Sequence, residues 1–132
     1  MSNPNVTAIS GTNSGTSEGV ICTTNTVSAA PTGGQGNFIQ GVVNGTGNAS
    51  ASTITVKVRQ GSNTTTGTQV GTTGAVGVAA GAVFSIPFAF LDASAASAGV
   101  TNYSVTTTAS AAQGASGAMT GAVSVETAED VD

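Results

Sequence analysis

The chain has no histidine, no tryptophan, one cysteine and only two cationic side chains, Lys57 and Arg59. Without imidazole, general acid–base catalysis and metal ligation lose the side chain that most often performs them near neutral pH. Two cations cannot form the basic patch that neutralises nucleic-acid phosphates, which excludes a nucleic-acid partner. No run approaches the roughly 18 apolar residues of a membrane span, so no membrane partner is expected. The composition predicts a non-enzymatic protein without a cofactor.

The single cysteine and the start of the sequence exclude two further classes. Cys22 has no second thiol in the chain, so a disulfide framework is impossible, and we expect a small buried hydrophobic side chain there. The first residues, Met1 to Asn5, contain neither a positive charge nor an apolar run, so no signal peptide is expected.

What the chain does contain is small side chains. Gly, Ala, Ser and Thr supply 77 of the 132 residues, and the net charge is only −4. Disordered chains usually combine few apolar residues with a high net charge, so this mild charge and a mean hydropathy of +0.22 favour folding. A core of small side chains buries little apolar area, and burial against further copies of the chain is expected to add stability.

Two segments alternate apolar and polar residues with the period of a β-strand. In Thr53–Gln60, the alternate residues from Ile54 to Val58 are apolar, and both cations lie on the opposite, solvent-exposed face. In Val83–Leu91, three of the four phenylalanines and one isoleucine share a face, which we expect to form the centre of the core. Pro87 cannot donate a hydrogen bond to a neighbouring strand, which predicts a sheet edge or a bulge for this segment.

The remaining strands are separated by turns rich in Gly, Ser and Asn, and residues 61–67 are expected to close a hairpin. Four further strands and two shorter ones are predicted at Gly19–Val27, Asn37–Gly45, Asn102–Ala109, Ala118–Ala128, Thr68–Gly71 and Ala75–Ala79. Six to eight short strands predict an all-β fold, an antiparallel β-sandwich that is jelly-roll-like, with an irregular N-terminal arm. The expected parts are a flexible arm over 1–17, a single sandwich domain over 18–128 and an acidic C-terminal tail over 129–132.

No group of residues predicts a catalytic, cofactor-binding or metal-binding site. A serine nucleophile would need Lys57 as its base, but Lys57 belongs to the regular outer face of a strand. The acids Glu126, Glu129, Asp130 and Asp132 offer oxygen ligands for calcium without the spacing of a calcium loop, so a solvated acidic end is favoured. Residues 92–99 are expected to form a loop or one short helical turn.

The segments TITVKVRQGSNTTTGTQVG, VFSIPFAFLD and NYSVTTTASA resemble those of small tailed-phage capsid decoration (cement) proteins and related phage virion β-domains. The resemblance covers residues 37–128 and lies in pattern and composition. It implies a virion structural protein, made in the host cytoplasm, that binds the major capsid protein on the outer capsid surface, forms a homotrimer and reinforces the shell. It carries over no site residue.

Two other classes remain open from the sequence. One is a β-module of a tail fibre, a neck appendage or a surface adhesin. The other is a carbohydrate-binding module, with or without calcium, although one tyrosine and no tryptophan make a poor platform for stacking sugars.

Overall fold

The computed structural model describes residues 5–9, 11, 13, 16–25, 36–47, 50–94, 99–111 and 119–128. These residues form eight strands and, within the described ranges, no helix. The strands are β1 (Asn5–Ile9), β2 (Gly19–Asn25), β3 (Gly36–Thr46), β4 (Ser52–Gln60), β5 (Gln69–Val78), β6 (Val83–Asp92), β7 (Asn102–Ala109) and β8 (Thr120–Ala128).

The strands form two four-stranded antiparallel sheets packed face to face. Sheet 1 has the order β1-β8-β3-β6, and sheet 2 has the order β2-β7-β4-β5. Early strands therefore pair with late ones, β1 with β8 and β2 with β7, while β3 pairs with β6 and β4 with β5. Eight strands wound in this way form a jelly roll. The predicted antiparallel sandwich of jelly-roll type is confirmed.

The six longer predicted strands are all present, and β7 has the predicted bounds. The hairpin across 61–67 joins β4 to β5, with Gln60 N donating to Thr68 O at 2.9 Å. The two short predicted strands are one strand, β5, which the sequence divides at Thr72-Thr73-Gly74. The register shifts there, Gly74 has φ +69°, and the Thr73 hydroxyl accepts the N–H of Val56 at 3.1 Å. A β-bulge thus looks like a turn in the sequence.

The irregular character predicted for the N-terminal arm is wrong for Asn5–Ile9. These five residues are β1, which pairs with β8 from Asn5↔Val125 to Ile9↔Gly121. The Thr7 hydroxyl also donates to the Thr24 hydroxyl of sheet 2 at 3.0 Å. Because only Ile9 of this strand is buried, hydrophobic periodicity gives no signal, and backbone pairing holds the strand in place. The division into arm, domain and tail otherwise stays a prediction, and residues 129–132 and 95–98 lie outside the described residues.

The core is built chiefly from β-branched side chains of the central strands. Its fully buried members include Ile39, Val43, Ile54, Val56, Val58, Val105, Val123 and Val125, together with Tyr103. The predicted aromatic face of β6 is buried at Phe84, Ile86 and Phe88, and Phe90 is partly buried. This face lies to one side of the core and not at its centre, because β6 is an edge strand, as Pro87 indicates.

Glycines make room for the aromatic rings of β6. Gly41 and Gly45 stand opposite Phe88 and Phe84 in the β3–β6 pair. A Cβ atom at Gly41 would lie 3.0 Å from the Phe88 ring, and one at Gly45 would lie 2.5 Å from the Phe84 ring. The rings therefore cover bare backbone, an arrangement that compensates for the missing side chain of a strand glycine.

Candidate interaction surface

Both cations of the chain are paired with one carboxylate on the outer side of sheet 2. Arg59 Nε and Nη2 donate to the two carboxylate oxygens of Glu18 at 2.6 and 2.9 Å, and Lys57 Nζ lies 3.9 Å from Glu18 Oε1. The Thr106 hydroxyl donates to Glu18 Oε2 at 2.7 Å. The side chains of Arg59 and Glu18 are only 16% exposed, and that of Lys57 28%. The predicted solvent-exposed face of β4 is thus partly covered by Glu18, the residue that precedes β2.

This geometry keeps Glu18 ionised. The hydrogen bond from Arg59 lowers the pKa of Glu18; partial burial opposes the shift, whereas the Thr106 hydroxyl and the charges of Arg59 and Lys57 reinforce it. A carboxylate with a lowered pKa, held by three neighbouring side chains, is a poor general acid. The group stabilises the fold: it ties the start of β2 to β4 and β7.

A second polar cluster joins the two sheets at one end of the sandwich. The Tyr103 hydroxyl donates to Asp92 Oδ2 at 2.7 Å and accepts from Asn37 Nδ2 at 2.9 Å. Gln60 Nε2 donates to both Asp92 oxygens at 3.1 and 2.9 Å, and the backbone N–H and hydroxyl of Ser94 donate to Oδ1. Burial raises the pKa of Tyr103, so its hydroxyl stays protonated and donates. Asp92 is 4% exposed, so the cluster is closed to a substrate.

The cysteine and the acids make no reactive centre in the described part of the chain. Burial raises the pKa of Cys22 to about 11, so the thiol is protonated at neutral pH, in line with the expected small hydrophobic role. Among the residues that the structure describes, no group of three or more His, Cys, Asp or Glu side chains is placed to hold a metal ion. Within the same residues, no helix has the length and apolar character to cross a membrane.

The outer side of sheet 1 is different, because it is apolar and open. We call it the sheet 1 outer face: the outward side chains of β1, β8, β3 and β6. Of the large hydrophobic side chains in the described residues, three are exposed, Val83 at 81%, Val6 at 62% and Leu91 at 46%, and all lie on this face. Of the described acidic and basic side chains, one lies on this face: Glu126 of β8, in the row of Phe38 and Leu91.

A shallow groove of about 630 Å³ crosses the middle of this face. Its lining includes Val6, Gln40, Val42, Pro87, Ala89 and Ala122. Exposed apolar surface rimmed by polar residues is typical of interaction sites. The sequence gives no sign of this face, because the four strands that build it come from distant parts of the chain. Val6 and Leu91 are visible only as apolar residues outside the predicted core faces.

No family model and no curated protein sequence matches the chain. Solved structures do match. A chain in the structure of the infectious bursal disease virus Gx strain aligns with 99% of this chain at 16% identity and a TM-score of 0.60. The VP2 subviral particle of infectious bursal disease virus aligns with 96% at 17% identity and a TM-score of 0.55, and the D431N VP2 mutant in T=1 particles with 96% at 15% and 0.56.

These alignments show that the fold is one found in chains of virus particles. The protein described here spans about a third of the length of the solved chains it matches, since it covers 34%, 33% and 32% of them.

Proposed function

We propose that the chain is a non-enzymatic virion structural protein that binds the outer surface of a tailed-phage capsid and stabilises it as a decoration protein. The observation that carries this proposal is an open, apolar and nearly uncharged outer face, which fits contact with other subunits of an assembly, on a jelly roll whose fold is shared with chains of virus particles. The described titratable groups support the proposal, because Glu18, Arg59, Asp92 and Tyr103 are engaged in holding the fold together.

The partners in this proposal are the major capsid protein and further copies of the chain, arranged as a homotrimer. A capsid presents many equivalent sites, so weak contacts add up when several linked copies bind together. Asn5–Ile9 pairs with β8 as an edge strand of the domain, so this segment is not a free arm in the proposed assembly.

Binding to capsids tests the proposal directly. Expanded phage capsids without decoration are mixed with the purified chain and sedimented, and the temperature of capsid disruption is measured with and without the chain. We expect saturable binding and a higher disruption temperature.

Three outcomes would contradict the decoration role. The chain fails to sediment with capsids at any salt concentration, or it assembles into closed particles by itself, which is the behaviour of a shell subunit. The third is specific binding on a glycan array without capsid binding, which would favour the fibre, appendage or adhesin alternative.

A further inference from the structure

We infer that the sheet 1 outer face is the contact between copies of this chain. This inference rests on the self-association in the proposed function and adds the surface that makes it. The occupant of the groove is then a second copy of the same face or of its neighbouring rim, and the capsid contacts another part of the subunit.

Exposed apolar side chains on this face support the inference. Val83, Val6 and Leu91 extend into solvent from the two edge strands of sheet 1, on either side of the groove. Water contact with such side chains is unfavourable, and its removal drives association. The described exposed side chains of this size are confined to this one face, so a partner that covers it removes all three from water together.

The distribution of acidic side chains also supports a second copy as the partner. A second copy carries the same net charge of −4, so two copies repel each other wherever they bring acids together. On the described residues, Glu18 lies on the outer side of sheet 2 and Asp92 is buried, which leaves Glu126 at one end of the sheet 1 outer face. Glu126 is not part of the groove lining, so copies can meet across the groove without bringing these acids together. A partner of opposite charge would instead need a charged surface to recognise.

The shape and the size of the sheet 1 outer face also suit contact with a second copy. The face carries both protruding side chains, such as Leu91, and a groove with the small residues Gly41, Ala89 and Ala122 in its lining. A surface with knobs and a groove can be complementary to itself. Four strands at spacings of about 4.8 Å and lengths of roughly 30 Å give a face of about 570 Å² in projection. Two such faces bury about 1,100 Å² in all, above the roughly 1,000 Å² that a specific interface needs.

The other surfaces of the sandwich offer less exposed apolar area for a contact between copies. On the outer side of sheet 2, the loop of residues 61–67 folds back over β2 and β7: Asn63 N donates to the Thr23 hydroxyl at 3.1 Å and Thr64 N to the Ser104 hydroxyl at 3.1 Å. Glu18 covers Arg59 on the same side. At the edge of sheet 1, Pro87 of β6 lacks the N–H that a new strand would need.

A matched pair of substitutions tests the inference. Ala89 and Ala75 are both exposed alanines of edge strands, Ala89 on the sheet 1 outer face and Ala75 on the outer side of sheet 2. Ala89→Glu and Ala75→Glu add the same charge to the two faces. Light scattering after size-exclusion chromatography should give two or three chain masses for the unmodified protein and for Ala75→Glu. Ala89→Glu should give the mass of one chain, with a dissociation constant raised about 100-fold or more.

Each contrary result contradicts a different statement. A single chain mass for the unmodified protein at micromolar concentration overturns both this inference and the self-association in the proposed function. An oligomer that survives Ala89→Glu overturns this inference alone. If Ala89→Glu leaves the chain as an oligomer but abolishes co-sedimentation with capsids, the face binds the capsid and the inference is wrong.

A second measurement does not depend on how the new charge affects folding. Ala89→Cys and Ala75→Cys each introduce a small exposed thiol, and the native Cys22 reacts slowly because burial raises its pKa to about 11. Maleimide should label the thiol from Ala89→Cys at least about tenfold more slowly when the protein is concentrated enough to associate, whereas labelling at Ala75→Cys should not change. Equal labelling of both at all concentrations would contradict the inference.

Discussion

The outer faces of sheet 1 and sheet 2 carry different side chains, and the chain covers one face and leaves the other open. On sheet 2, Glu18 lies over Arg59 and Thr106, and the loop of residues 61–67 donates backbone N–H groups to hydroxyls of β2 and β7. On sheet 1, the three exposed large hydrophobic side chains of the described residues surround an open groove.

The difference follows from what each face offers to its own chain. Hydroxyls and charged groups on sheet 2 form directional hydrogen bonds with nearby loops, and such bonds hold short polar segments in place. Ser85 and Asn44 on the outer side of sheet 1 bond to each other, and the aliphatic groups beside them form no hydrogen bonds. Another apolar surface covers these aliphatic groups with a gain in free energy. The chain therefore covers the outer side of sheet 2 by itself and leaves the outer side of sheet 1 open to a partner.

The largest expected loss in the free energy of unfolding distinguishes the buried side of sheet 1 from its outer face. Phe88→Ala removes a buried ring that stacks on Phe90 at 5.8 Å and covers Gly41, so the free energy of unfolding should fall by about 3–5 kcal/mol in chemical denaturation. The control is Phe38→Ala on the outer face, where the ring is only partly buried and we expect less than half that loss. Equal losses would show that the outer face is packed within the subunit.

The next effect concerns the cluster that joins the two sheets. Tyr103→Phe removes the hydroxyl that donates to the buried Asp92 at 2.7 Å, and a buried acceptor that loses a donor costs about 1–3 kcal/mol. Ser85→Ala, which removes an exposed hydrogen bond to Asn44 of 2.7 Å on the sheet 1 outer face, should change the unfolding free energy by less than about 0.5 kcal/mol. The ranking would be overturned if the two variants unfolded at the same denaturant concentration.

A smaller effect is expected on the covered face of sheet 2. Glu18→Gln keeps the size of the side chain but removes the charge that pairs with Arg59, and we expect a loss of about 1–2 kcal/mol at pH 7 because the pair is only partly buried.

The same variant changes the pH dependence of stability. The pKa of Glu18 is lowered in the folded state, chiefly by the hydrogen bond from Arg59, from an ordinary value of 4.5. Its stabilising contribution is complete above pH 4.5 and is lost as the pH falls through the lower folded-state value. The difference in thermal unfolding between the unmodified chain and Glu18→Gln should thus shrink as the pH falls below 4.5 and vanish below the folded-state pKa. A constant difference between them from pH 7 to pH 3 would rule out the ionised pair as the cause.

The smallest effect is expected on the open face. Leu91→Ser replaces an apolar side chain that is 46% exposed, so the unfolding free energy of the single chain should change by less than about 0.5 kcal/mol. The measurement is made at a concentration where light scattering finds single chains. A loss above 1 kcal/mol would mean that the chain itself covers this face, which would remove the contrast between the two faces.

The sequence predicted the sandwich because its central strands have clear patterns. The apolar–polar alternation of β4 and the β-branched residues of β7 can be recognised without knowing which strands lie beside them. Pro87 placed β6 at an edge, because its missing N–H excludes a central position in the sheet. Two strands were predicted wrongly, because hydrogen bonds to neighbouring strands, and not the pattern of apolar residues, determine where they form. β1 has one buried residue and exists through its hydrogen bonds to β8, and β5 continues through a bulge that the Thr73 hydroxyl bridges.

The candidate surface was less predictable than the fold. The sequence showed that reactive groups are scarce, and it placed Lys57 and Arg59 on one face of β4. It did not show that Glu18, 41 residues before Arg59 in the chain, covers that face, because a contact between distant segments of one sheet leaves no periodic pattern in the sequence. For the same reason, Val6 and Leu91, at opposite edges of sheet 1, gave no sign of belonging to a common apolar face.

The amino-acid sequence alone determined the class of the fold and the scarcity of reactive chemistry, because both follow from local properties: β-branched residues in alternation, many turn residues, no imidazole and almost no charge. Only the tertiary structure decided which face stays open, because that depends on the pairing of β1 with β8, on the return of the 61–67 loop and on the reach of Glu18. Each of these contacts joins residues far apart in the chain, and its free energy exists only when folding brings the distant strands of a sheet together.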